Sequence, residues 1–442
     1  MSEIVVLVPG IMGSELRDGE QLIWPGTPLE LLFSYKKMAS LLKPGLVASD
    51  VIRSVSVVRI YAELISSLKS CGFDEPAGTL VVFPYDWRKD NALAAAGLAN
   101  CLDKIAARSP EATITLLAHS MGGLVSRNYL ESGTYCERPG WSKVSNLITM
   151  GTPHRGAPMA LAAALGQEKR LFLNAAQVAK LANDPQFPSL YQLLPPKDEP
   201  FAWNREVTAR YAPTDIYDSK IAASLGLSAA NLQSAVDFHA TLNLARRPSG
   251  VRYFFFAGTR QETTHAMHID HDGVGHVARK VDRNDAGDGA VPFWSACITG
   301  VQGEPVGGEH GELFKDAGLK TILGALLGRP GVLAAPGPVP ELSVRHKVVE
   351  PKQELNTTID YPAGTTVFSG HLKWRRKVDG TGTEVADAAW FDADALQYHG
   401  PSIDHLTVKL AAPNYLGVYE LALFRSGEAA PLASTEVFVQ EP

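Results

Sequence analysis

The sequence predicts an α/β fold: a mostly parallel sheet flanked by helices, interrupted by a helical insertion and followed by an all-β segment. Three observations predict it. Short apolar runs alternate with helical patterns through the first two thirds of the chain, the order that builds parallel sheets. Most of those runs are continuously apolar rather than alternating, as strands are when helices cover both faces. Past residue 340 the pattern changes to short, turn-bounded, β-rich segments.

The elements follow in order. Residues 4–8 form a first strand running into Pro9-Gly10, and 79–83, 113–118, 144–150 and 251–257 read as further strands. Between them, 61–70, 91–107 and 122–130 carry helical periodicity. From Arg155 to Gly250 the periodicity is helical without a convincing strand, so 155–250 is expected as a cap over the C-terminal edge of the sheet. Residues 329–340 hold four prolines and two glycines, which is linker chemistry. The expected domains are 1–328, including the cap, and a sandwich-like accessory domain over 341–442. The aromatic residues of that domain are read as its core.

Composition narrows the function. The 442 residues are enough for two or three domains, and 45% hydrophobic with 20% charged residues is globular rather than disordered. Lys and Arg total 41 against 47 Asp and Glu, a net charge of −6, so nucleic acid is not an expected partner. No apolar run approaches the length of a membrane span. The start of the chain has neither the basic region nor the apolar stretch of a secretory signal. Four cysteines, Cys71, Cys101, Cys136 and Cys297, lie far apart and read as free buried thiols. A cytoplasmic setting is expected, and export by a route needing no N-terminal signal stays compatible with the sequence.

The strongest chemical signal is residues 113–130, TITLLAHSMGGLVSRNYL, where a strand runs into Ser120 and a helix follows. A sharp strand-to-helix turn of this kind lifts a serine hydroxyl above the sheet as a nucleophile. Strand and helix nearly touch there, so the flanking positions must be small, and Ala118 and Gly122 are. The glycine-rich turn after the first strand is placed to offer backbone N–H groups to a developing oxyanion. Ile11 or Met12, with Met121, are the expected donors. An acid and a histidine then follow in the order this architecture uses. Asp288, between Gly287 and Gly289, is the expected orienting acid, and His310, in a second glycine-rich loop, the general base and then acid. His119, beside the nucleophile, is read as packing. His265, His268, His271 and His276, with Asp270 and Asp272, match no metal-ligand spacing and read as a solvated hairpin, so no metal is expected.

Six motifs in this order, VPGIMGSEL, FPYDWR, AHSMGG, MGTPHRGAP, GDGAVP and EHGELF, make residues 4–326 resemble the lecithin:cholesterol acyltransferase family. The resemblance implies an α/β-hydrolase fold with a helical cap and an acyl-enzyme mechanism, with Ser120 as nucleophile, Asp288 as acid and His310 as base. It also gives the Tyr85-Asp86-Trp87-Arg88 segment two expected roles: Asp86 bracing the oxyanion turn, or Trp87 lining the acyl site. A turn held by an Asp86–Arg88 pair is the structural alternative. The β-rich segment after 330 has no counterpart in the family.

The expected function is therefore a serine-dependent lipid acyl hydrolase or O-acyltransferase, needing no cofactor, with a phospholipid or acylglycerol as substrate. Hydrolysis is favoured over transfer because water is the bulk nucleophile. The C-terminal domain is expected to dock on a membrane surface or a protein. The competing class is a non-catalytic hydrolase-fold binding protein that works through that domain.

Overall fold

The computed structural model describes residues 3–27, 29–55, 58–204, 213–333 and 340–441. Its centre is a six-stranded, all-parallel sheet: β1 (Glu3–Val8), β2 (Leu80–Val82), β3 (Thr113–His119), β4 (Val144–Met150), β5 (Arg252–Gly258) and β6 (Gln302–Val306), in the spatial order β6-β5-β4-β3-β1-β2. Alternation along β1 explains its unbroken apolar run. Ile4, Val6 and Val8 enter one core with Leu98, Leu102 and Tyr129, while Val5 and Leu7 enter a second core with Leu64, Leu68 and Leu323. Helices α1 (Ala62–Ser70), α2 (Asn91–Arg108) and α3 (Met121–Glu131) stand where the periodicity put them. Asp90 caps α2, its side chain accepting from the Ala92 N–H.

The cap is helical as expected. It contains Met159–Ala164, Ala175–Ala182, Ser219–Ser224 and Ala229–Thr241, with a tighter 3-10 segment at Pro188–Leu193. It also contains one short strand, Ala202–Trp203, that the periodicity gave no sign of. This strand pairs with a long hairpin, Gln261–His271 and His276–Gly287. The four histidines of the sequence cluster lie on this hairpin, but its packed face is not solvated: Met267 and Ile269 are fully buried. A small three-stranded sheet of Gln21–Trp24, Ser14–Asp18 and Val47–Val51 was also not anticipated.

The C-terminal segment is a sheet domain of a different form from two packed sheets of short strands. Two long strands, Glu354–Val378 and Phe391–Ala411, pair along most of their length, and Glu341–Val344, Gly417–Arg425, Ala433–Val439 and Val348–Val349 complete one six-stranded sheet. Register shifts between Asp360 and Val367 interrupt the long pair, and residues from both of its halves share one core around Leu372, Trp374 and Leu421. The domain is not tethered loosely. Phe438 packs edge-on against Phe172 of the cap at 5.3 Å, Gln440 donates to the Phe33 carbonyl, and Arg260 pairs with Asp360. The expected linker, 329–340, falls largely on 334–339, which lie outside the described residues.

Cys71 alone of the four free thiols is buried. Cys101 and Cys297 are half-buried and Cys136 is exposed, which corrects the expectation of four buried ones. Among the described residues no helix is long and apolar enough to cross a membrane.

Candidate active site

Ser120 sits between β3 and α3 with φ 54° and ψ −127°, a backbone conformation that costs an L-residue about 1–3 kcal/mol. Surrounding contacts hold it there. Its N–H donates to the Met150 carbonyl at 2.9 Å, and its carbonyl accepts from the Thr152 hydroxyl at 2.8 Å. Helix α3 passes so close to β1 that a Cβ on Gly122 would lie 2.4 Å from the Val8 carbonyl oxygen. On the other side, a Cβ on Gly10 would lie 2.8 Å from the Ser120 Cβ, so the turn after β1 rests directly on the nucleophile.

The loops after β5 and β6 bring the other two side chains to the same sheet edge. His310 Nε2 lies 2.8 Å from Ser120 Oγ, and His310 Nδ1 lies 2.8 Å from Asp288 Oδ2. Asp288 is fully buried, and its second oxygen accepts the N–H groups of Ala290 and Val291 at 3.0 and 2.7 Å. Its carboxylate is thus fixed before it meets the imidazole. Burial works against the charged imidazole of His310, but the Asp288 charge and hydrogen bond outweigh it and raise its pKa above the ordinary value. Asp285, the other acid of that loop, instead faces His405 at 3.1 Å.

Of the expected oxyanion donors, Ile11 and Met12 line the cavity above Ser120, and neither N–H has a hydrogen-bond partner among the described residues. Met12 is held at φ 62°. The Trp24 indole donates to its carbonyl at 2.9 Å, so that oxygen is engaged while the N–H stays available. Met121 follows the nucleophile as the first residue of α3 and is fully buried.

Trp87 is corrected. Its ring is 1% exposed and does not line the cavity; it donates to the Ser14 carbonyl at 3.1 Å and packs edge-on against Trp24. An indole N–H needs a buried acceptor, and the start of the strand that follows the oxyanion turn supplies it. Tyr85 supports the same turn, its hydroxyl donating to the Pro9 carbonyl at 2.8 Å. Asp86 does not touch that turn. It pairs with the buried Arg88 at 2.6 Å, the structural alternative named above.

His119 does more than pack. Its Nε2 lies 2.9 Å from the His310 carbonyl and must donate to it, so Nδ1 is the acceptor of the Tyr61 hydroxyl at 2.8 Å. The Tyr61 oxygen in turn accepts the Gly10 N–H at 2.9 Å. Burial, with the nearby His310, pulls the His119 pKa down to about 3, which keeps the ring neutral as this chain of bonds requires. It links the oxyanion turn to the His310 loop, and the sequence gave no sign of it because Tyr61 belongs to no motif.

Ser120 and His310 open into a cavity of about 230 Å³, with Asp288 buried behind the imidazole. Its walls come from three parts of the chain: Ile11 and Met12 of the sheet domain, Met159, Leu190 and Leu193 of the cap, and residues 345–348 of the C-terminal domain. The arrangement can do acyl transfer: a serine hydroxyl beside a base, a buried acid behind the base, donors over the nucleophile, and an apolar wall for a chain.

Comparison with known proteins agrees with this chemistry. The lecithin:cholesterol acyltransferase family model matches residues 43–244, a span that includes Ser120 and stops before Asp288 and His310. The chain is similar to phospholipase A(1) LCAT3 of Arabidopsis thaliana, 24% identical over 346 residues, covering 64% of this chain and 75% of that protein. It is similar also to lecithin-cholesterol acyltransferase-like 4 of the same plant, 29% identical over 157 residues, covering 33% and 28%. Among solved structures, the Tle4-Tli4 complex matches in fold with a TM-score of 0.50 at 15% identity, covering 75% of this chain and 99% of that one.

Proposed function

We infer the mechanism and substrate of a chain that belongs to the lecithin:cholesterol acyltransferase family of α/β-hydrolases and is a lipid acyl hydrolase or acyltransferase. In our reading Ser120 Oγ attacks the ester carbonyl while His310 Nε2 takes its proton. Asp288 stays ionised and stabilises the imidazolium. The N–H groups of Ile11 or Met12, with that of Met121, receive the charge on the carbonyl oxygen. His310 then protonates the leaving alcohol. A second oxygen nucleophile, deprotonated by His310, releases the acyl group from Ser120.

We propose hydrolysis of a glycerophospholipid as the reaction. The observation that carries the reading is the pair of 2.8 Å contacts joining Ser120, His310 and Asp288. The apolar cap wall beside them suits an acyl chain, and a phospholipase among the similar proteins supports the phospholipid. Four free thiols support a reducing, cytoplasmic setting.

Incubation with mixed phospholipid vesicles and a long-chain alcohol tests both parts. Free fatty acid and lysophospholipid are expected. A new ester of the alcohol would reassign the acceptor, and a folded enzyme releasing no acyl product would contradict the reading.

A further inference from the structure

One end of the active-site cavity is strongly basic, and the mechanism above makes no use of it. Arg59, Lys169, Arg170, Arg345 and Lys347 line the cavity, against the two carboxylates Glu309 and Glu312. Two of these five charges are committed to carboxylates. Lys347 pairs with Glu312 at 2.8 Å and Arg345 pairs with Glu262, while Lys169 meets only the neutral Gln353 at 2.9 Å.

Arg59 is exposed to solvent, whereas Arg170 is half-buried. Among the described residues its guanidinium has no hydrogen-bond acceptor and no carboxylate at ion-pair distance. The acids whose charge it feels are Glu168, Glu309 and Asp288. Glu168 is bound to Lys280 and Asp288 to His310, and burial lifts the Glu309 pKa to about 7. Its backbone is pinned on both sides, by reciprocal bonds between Arg170 and Leu173 at 3.0 and 2.9 Å, with Leu171 forced to φ 46° between them. Arg345 adds a buried Nε–H that has no acceptor. A half-buried guanidinium and a buried donor left unpaired are costly, and a ligand anion removes that cost.

We propose that this end of the cavity binds the phosphate of the substrate's headgroup, with Arg170 as the principal donor and Arg345 as its neighbour from the C-terminal domain. A guanidinium presents two parallel N–H groups that match two phosphate oxygens. The β domain is then one wall of the substrate site, and it selects acyl esters that carry a phosphate over uncharged ones. The proposal rests on the phospholipase reading above and adds to it the residues that recognise the headgroup.

The test is the ratio of kcat/KM for a phospholipid to kcat/KM for a diacylglycerol of the same chain length, in wild type, Arg170→Gln and Arg170→Lys, with thermal melting to verify folding. The ratio is expected to fall at least tenfold in Arg170→Gln and to recover in part in Arg170→Lys, which keeps the charge but not the fork. An unchanged ratio overturns the proposal and leaves the esterase reading standing. A folded wild type inert on both substrates contradicts the reading itself, and the proposal with it. Inhibition by inorganic phosphate separates the two sources of the anion: if Arg170→Gln abolishes that inhibition while the ratio holds, the site takes a free anion and the headgroup assignment is wrong.

Discussion

His310 carries the pH dependence of the reaction. It must be neutral to accept the Ser120 proton, and the Asp288 carboxylate raises its pKa above the ordinary value of about 6.5. Activity should therefore fall as pH drops through a midpoint above 6.5. Asp288→Asn removes the charge that favours the imidazolium, so the acid limb should move to lower pH while kcat falls by about 10⁴-fold. A kcat/KM profile from pH 4 to 9 checks both. A limb that stays in place in the variant would mean that another group controls the titration. Arg170 and Trp87 mark the limits of reading single residues from a motif. Trp87 stood inside a family motif and proves to be buried behind the oxyanion turn, while Arg170 stood in none and reaches the cavity.

At the scale of elements, the site depends on how closely α3 packs against β1. Gly122 has helical backbone geometry, so the need for glycine there is purely one of space. Gly122→Ala would drive a methyl into the Val8 and Pro9 carbonyls, which lie 2.4 and 2.5 Å from where its Cβ would be. Overpacking of this kind costs about 1–3 kcal/mol. The variant should melt several degrees lower and lose activity as the nucleophile shifts. Gly45→Ala, with nothing within 4 Å of its Cβ, should melt with the wild type and serves as the control. Equal melting temperatures for the two variants would show that the contact is looser than described. The same packing explains which strands could be read beforehand. β1 and β3 to β5 have both faces covered, so their sequences are rich in apolar residues on both faces. β6 has four exposed residues of its five and carries Gly303, Glu304 and Pro305, the composition of a sheet edge, and no apolar run marked it.

At the scale of the whole molecule, the alternation of strands and helices and the change of pattern at the cap were legible because they follow from burial on two faces or one. What was not legible was which distant surfaces meet. Nothing in the spacing of residues 345–348 indicated that they line the cavity, since a loop of one domain reaches it only after two domains have packed. The shape of the C-terminal domain was hidden for a related reason: turn-like interruptions near residues 361–366 and between 399 and 406 sit inside continuous strands rather than ending them. The central claim belongs to this scale too, because Ser120, Asp288 and His310 come from three separate loops and only the sheet gathers them. Treatment with a fluorophosphonate, followed by mass spectrometry of the intact protein and its peptides, tests that claim most directly. The account predicts one adduct per chain, on Ser120, absent in Ser120→Ala and slowed in His310→Ala. A folded wild type that takes no label, or an adduct that persists in Ser120→Ala, would contradict it.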